Sequence, residues 1–137
     1  ESVRIMAKNN NGAESTRSAG SYGEDLASKE LQRLGCIVIC RNYTCRGGEI
    51  DIIASKGEYL FFAEVKMRKQ GTGDNAAEAV DKIKAQRIRT ACRNFMNEYR
   101  DNPLIENLVP NAMIIEVYTG KETKIHILAC PGLLSES

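Results

Sequence analysis

This 137-residue chain lacks paired cysteines, a histidine cluster, an excess of charge of either sign and any long apolar run. Nineteen lysines and arginines against eighteen aspartates and glutamates leave a formal charge of +1, so a basic surface, if there is one, must be local. The longest apolar stretch, Tyr59 to Ala63, has the length of a strand; a membrane-spanning helix needs about 18–20 such residues. No charged-then-apolar leader is present, so secretion is not expected and the cytoplasm is the expected location. The five cysteines (Cys36, Cys40, Cys45, Cys92 and Cys130) form no CxxC pair, and the only histidine, His126, sits in the alternation Ile125-His126-Ile127. A structural zinc wants clustered thiolates or imidazoles, so none is expected and the cysteines read as reduced thiols. No Cys–His or Ser–His–Asp grouping can be assembled at a spacing that suits nucleophilic catalysis.

What is present is an ordered soluble composition: 42% hydrophobic and 27% charged residues, in a length that suits one domain. Residues 1–19, rich in Asn, Ser, Gly and Ala, are expected to form a flexible tail, and residues 20–137 a single domain with neither an internal repeat nor a second-domain linker. From Gly20 to Leu34 the apolar residues Ala27, Leu31 and Leu34 form a helical stripe that Gly35 ends. Cys36–Asn42, Glu49–Ser55 and Glu58–Lys66 then read as an antiparallel meander, turned at Arg46-Gly47-Gly48 and Lys56-Gly57. Residues 68–74, with Gly71 and Gly73, read as a mobile loop. Asn75 with Glu78 makes a capping box for a helix over about Ala76–Arg100. Two further strands, about Ala112–Tyr118 and Lys124–Ala129, complete an α/β domain of order α-β-β-β-α-β-β with a mixed sheet.

The chemistry concentrates in Glu49-Ile50-Asp51 and Glu64-Val65-Lys66. Side chains alternate along a strand, so Glu64 and Lys66 share a face. With Lys56-Gly57 as the turn, Ser55 pairs with Glu58, Glu49 faces Glu64, and Asp51 lies diagonal to Glu64 on the face that carries Lys66. Crowded carboxylates repel. A divalent cation, Mg²⁺ or Mn²⁺, held by Asp51 and Glu64 resolves the conflict, and Lys66 is placed to activate a water or to neutralise charge developing on a phosphate. The plain alternative is an exposed strand face with cross-strand Glu–Lys pairs. On the first helix, Glu24, Ala27 and Leu31 fall at i, i+3 and i+7, so Glu24 can look toward the sheet. Lys84 falls on the stripe Val80, Ile88, Ala91 and Phe95 with Arg87 beside it, and a lysine there must snorkel or find a partner.

The segments Gly47-Gly48-Glu49-Ile50-Asp51 and Phe62-Ala63-Glu64-Val65-Lys66-Met67-Arg68 resemble the restriction-endonuclease-like PD-(D/E)xK nuclease core. With Gly20-x-x-Gly23-Glu24-x-x-Ala27, Arg41-Asn42, Lys84 and Arg87-Ile88, residues 20–130 resemble the YraN-like family of uncharacterised bacterial proteins, related to archaeal Holliday-junction resolvases. The resemblance implies a nuclease-like fold in which Asp51 and Glu64 bind metal, Lys66 completes the site and Glu24 adds a further acid. The triplet that usually enters the fourth strand of the family, Arg-Phe-Asp-like, is replaced here by Asn111-Ala112-Met113, so any role of that acid or arginine is absent.

The expected catalytic set is therefore Glu24, Asp51, Glu64 and Lys66. Arg68 and Lys69 on the flexible flap, with Lys84 and Arg87 on the helix, are expected to contact phosphates. The function expected is Mg²⁺- or Mn²⁺-dependent phosphodiester hydrolysis in DNA, branched or structured. The alternatives are a nucleic-acid-binding module of the same fold without turnover, and a metal or interaction protein with no nucleic-acid partner. DNA is the expected partner, a homodimer is left open, and no membrane is involved.

Overall fold

A computed structural model describes residues 19–69 and 82–135. Its elements are α1 (Ala19–Arg33), β1 (Ile37–Cys45), β2 (Gly48–Lys56), β3 (Tyr59–Lys69), α2 (Lys82–Glu98), β4 (Val109–Thr119) and β5 (Lys124–Ala129). The strands form one mixed sheet in the order β1-β2-β3-β4-β5. Tight turns make the β1/β2, β2/β3 and β4/β5 pairs antiparallel, while the long excursion through α2 returns β4 parallel to β3.

Each face of the sheet is covered by one helix, and the strand alternation sorts the core accordingly. Ala27 and Leu31 of α1 pack with Ile52, Ala54, Ala63, Met113, Ile115 and Val117. Ile88, Ala91 and Phe95 of α2 pack with Tyr43, Ile50, Ile53, Leu60 and Phe62. Phe95 is the anchor on that side, edge-on to Phe62 at 5.9 Å and to Tyr43 at 5.3 Å between ring centres.

Two boundaries differ from the sequence expectation for the same reason. β1 runs on to Cys45 and β3 to Lys69, although Thr44, Arg68 and Lys69 are polar. A neighbouring strand supplies the missing drive: Arg68 and Lys69 pair with Tyr118 and Thr119 of β4. Arg68 and Lys69 therefore lie on a strand, not on a flap. The glycines Gly71 and Gly73, the cap Asn75/Glu78, Val80 and the expected tail up to residue 18 lie outside the described residues.

The β2/β3 register is also corrected. Lys56 pairs with Tyr59 and Ile52 with Ala63, so the turn residues are Gly57-Glu58. Gly57 has φ 61° and Glu58 is not left-handed, the pattern of a type II′ turn with glycine at its first central position. Placing Gly57 second had shifted the pairing by two residues. An even shift keeps the paired residues Ile52–Lys56 on their faces but moves Asp51 level with Glu64 instead of diagonal to it.

Candidate functional site: a carboxylate pair where the sheet divides

The β2/β3 ladder ends at Ile52–Ala63, and beyond it β3 continues beside β4. The parting of the strands leaves the Val65 amide without a backbone partner on β2, and Asp51 takes it: Val65 N–H donates to Asp51 Oδ2 at 2.8 Å. Burial raises the Asp51 pKa, against the opposing pull of the Val65 hydrogen bond, Lys84 and a hydrogen bond with Glu64. Glu64, only 5% exposed, is pushed up to about 7, first by burial and then by the Asp51 charge. Burial disfavours the anion of both carboxyl groups, and the two interact closely enough that each shifts the other.

Both helices bring groups to this gap. Glu24 of α1 also has a raised pKa, from burial and then from Asp51, with the Asn42 side chain and Arg41 working the other way. Arg41 lies 3.5 Å from Glu24 and 2.8 Å from Asp25. From α2, Lys84 Nζ stands 3.1 Å from Glu64 Oε2 and 3.6 Å from Glu49, and Arg87 stands 3.5 Å from Glu49. Burial works against the Lys84 ammonium, yet Glu64, Glu49 and Asp51 hold its pKa above the ordinary value. The approach of α2 depends on Gly48: a Cβ there would lie 2.6 Å from Ala91 N and 2.8 Å from Arg87 O, both backbone atoms of the helix. Gly23 plays the same part for α1, where a Cβ would run into the Met67 side chain.

Lys66 is half-buried on the same face of β3 as Glu64. Its charge lowers the Glu64 pKa, and among the described residues it has no ion-pair or hydrogen-bond partner. The structure thus brings Glu24, Asp51, Glu64, Lys66, Lys84 and Arg87 together. Arg68 is placed differently. Its side chain is 12% exposed and its Nε faces Glu116 Oε2 at 3.5 Å. Lys69 is exposed at the end of β3. Glu116, itself 2% exposed, escaped the sequence reading, although a charged residue inside Met113-Ile114-Ile115-Glu116-Val117 is a visible interruption of a strand core. Asn42, which hydrogen-bonds Glu24, entered the sequence reading only as part of the Arg41-Asn42 motif and with no role at the site.

The donors at the gap are carboxylate oxygens, the set preferred by Mg²⁺ and Mn²⁺ rather than by zinc. Glu64 Oε1 is buried and has no hydrogen-bond partner, a feature that fits a ligand atom for a cation better than a finished salt bridge. Among the described residues no three His, Cys, Asp or Glu side chains are arranged to hold an ion by themselves. A cation would therefore rest on Asp51 and Glu64, with water or substrate oxygens completing its shell, as is usual for Mg²⁺.

The family model described as "Uncharacterised protein family UPF0102" matches residues 23–117, which hold all of these residues. The chain belongs to the UPF0102 family. Similar UPF0102 proteins include one from Saccharophagus degradans, 34% identical over 116 residues that make up 85% of this chain and 90% of the relative. Another, from Streptomyces griseus, is 42% identical over 84 residues, 61% of this chain and 71% of its own length. A third, from Aeromonas hydrophila, is 41% identical over 88 residues, 64% of this chain and 68% of its own. The UPF0102 match runs from Gly23 within α1 through most of β4, so it contains the whole of the gap, α2 and most of α1. No helix among the described residues is long and apolar enough to cross a membrane.

Proposed function

We propose that this UPF0102 protein is a metal-dependent endonuclease of PD-(D/E)xK type that hydrolyses phosphodiester bonds in DNA, branched or structured DNA being the favoured substrate. The observation that carries this is the carboxyl pair Asp51–Glu64 at the parting of β2 and β3, with the unsatisfied Glu64 Oε1 and with Lys66 on the same strand face. Asp51 and Glu64 would hold Mg²⁺ or Mn²⁺, which supplies charge neutralisation at a phosphate and a more acidic bound water. Lys66 stands where its ammonium can hold the attacking water or meet charge developing on the phosphoryl oxygens. Lys84 and Arg87 would exchange their present carboxylate partners for substrate phosphates, and Glu24 would keep the far side of the gap acidic.

A second function, a nucleic-acid-binding module without turnover, is favoured by one observation. Lys84 already lies against Glu64 and Glu49, so part of the charge conflict is resolved without a metal. A cleavage screen of duplex, flap, junction and single-stranded DNA with Mg²⁺ or Mn²⁺ separates the two. The endonuclease cuts at least one substrate, and Lys66→Ala lowers the rate by several orders of magnitude while folding and Mn²⁺ binding persist. A wild type that cuts nothing, yet binds DNA with a steep salt dependence, is the binding module. Loss of folding in Lys66→Ala would make the lysine a structural partner of the acids and end its catalytic assignment.

A further inference from the structure

We propose that Asn42 is a positioning residue of the acidic gap, turning Asp51 into it by a bend of β1 and fixing Glu24 beside it through its amide. This rests on the metal-site reading above. Asn42 is the one non-glycine residue among those described with a left-handed backbone, φ 54°. It lies in mid-strand, between the pairs Arg41–Ile52 and Tyr43–Ile50, and so level with Asp51.

The consequence is visible on both strands. Residues two apart in a regular strand share a face. Here Ile50 belongs to the core under α2 and Ile52 to the core under α1. On β1, Tyr43 likewise packs on the α2 side while Arg41 pairs with Glu24 and Asp25 of α1. Besides the bulge between Val38 and Cys40 on β1, both strands therefore exchange faces at one shared step, the one occupied by Asn42 and Asp51. Asparagine tolerates the left-handed conformation better than other side-chain-bearing residues, so the exchange is tolerable at this position. Asp51 consequently belongs to neither core. It sits in the gap, with the Val65 amide on its Oδ2 and with Glu24 and Lys84 close enough to interact.

Glycine would make the same bend as cheaply, but it could not do the second thing Asn42 does. The Asn42 side chain donates a hydrogen bond to the Glu24 carboxylate, holding an acid that burial and Asp51 both disfavour. Groups around a metal ligand commonly control affinity by about 10–100-fold, and because the Asn42 amide reaches Asp51 and Glu64 only through Glu24, the lower end of that range is expected.

The decisive variant is Asn42→Gly, which keeps the left-handed backbone and removes the amide. Titration with Mn²⁺ alone, read by electron paramagnetic resonance, is expected to show at least about tenfold weaker binding. The unfolding temperature in EDTA should change little. In a Glu24→Gln background, Asn42→Gly should cost no further affinity, because its effect runs through Glu24. Wild-type affinity in Asn42→Gly overturns the proposal, and so does an equal loss in both backgrounds. A folded wild type that fails to bind Mn²⁺ overturns the metal-site reading itself, a different result from binding that is indifferent to Asn42.

Discussion

Burial and the Asp51 charge favour the acid form of Glu64 against the pull of Lys84, and this has a measurable consequence. Its folded-state pKa is raised from the ordinary 4.5 to about 7, so between those values the folded chain binds a proton that the unfolded chain does not. Stability from this group is therefore greatest below about pH 4.5 and falls as pH rises through about 7. Glu64→Gln, neutral at every pH, should be more stable than wild type at pH 8 in EDTA by about 1–2 kcal/mol. Urea unfolding at several pH values checks this, and a variant less stable than wild type at pH 8 would mean that the Lys84 pair outweighs burial. Mn²⁺ should raise the unfolding temperature of wild type and leave Asp51→Asn nearly unmoved, since only the former keeps both carboxylates.

At the scale of elements, two glycines set how close the helices come, and they are not equivalent. Gly48→Ala presses a methyl group against the Ala91 nitrogen and Arg87 oxygen of α2, and helix backbone cannot step aside. Such overpacking costs about 1–3 kcal/mol, and displacement of α2 carries Lys84 and Arg87 away from Glu64 and Glu49. Gly23→Ala meets the Met67 side chain, which has several rotamers to retreat into. Thermal unfolding should therefore fall further for Gly48→Ala than for Gly23→Ala. The reverse order would show that α1, not α2, is the rigidly seated helix. β3 joins the two helices' effects, because its faces carry Phe62 and Glu64 toward α2 and Ala63 and Val65 toward α1.

On the scale of the whole molecule, a net charge of +1 gives no long-range attraction for DNA. Affinity must come from the cations beside the gap, and those are engaged with acids when no substrate is present. DNA binding is accordingly expected to strengthen with Mn²⁺, which would compete with Lys84 for Glu64 and leave its ammonium to a phosphate. Whichever of Lys84 and Arg87 meets a phosphate should contribute roughly 0.9 to the slope of log affinity against log salt. Fluorescence anisotropy on wild type, Lys84→Ala and Arg87→Ala measures that slope. Slopes identical in all three proteins would remove α2 from the interface. Phe95→Ala provides the contrasting case: it should cost about 3–5 kcal/mol of stability through the core under α2, with no bearing on the salt slope.

Much of this was written locally. Periodicity and turn chemistry set the order α-β-β-β-α-β-β, the stripe Ile88, Ala91 and Phe95, and the placement of Asp51, Glu64 and Lys66 on adjoining strands, because each depends on residues a few positions apart. The need of Lys84 for a partner was legible for the same reason, as a charge on an apolar stripe. Other features depended on partners distant in sequence. Gly57 takes the first turn position and so moves Asp51 level with Glu64, a choice of two residues that alternation cannot detect. β4 extends β3 to Lys69 and draws Arg68 into a buried pair with Glu116, where a strand end was expected to become a loop. The exchange of faces at Asn42, and the contact it gives Glu24, exists only once β1, β2 and α1 are packed together. Local pattern determined which residues are acidic, basic or buried; the tertiary structure decided which of them meet, because register and the parting of strands are settled between segments and not within them.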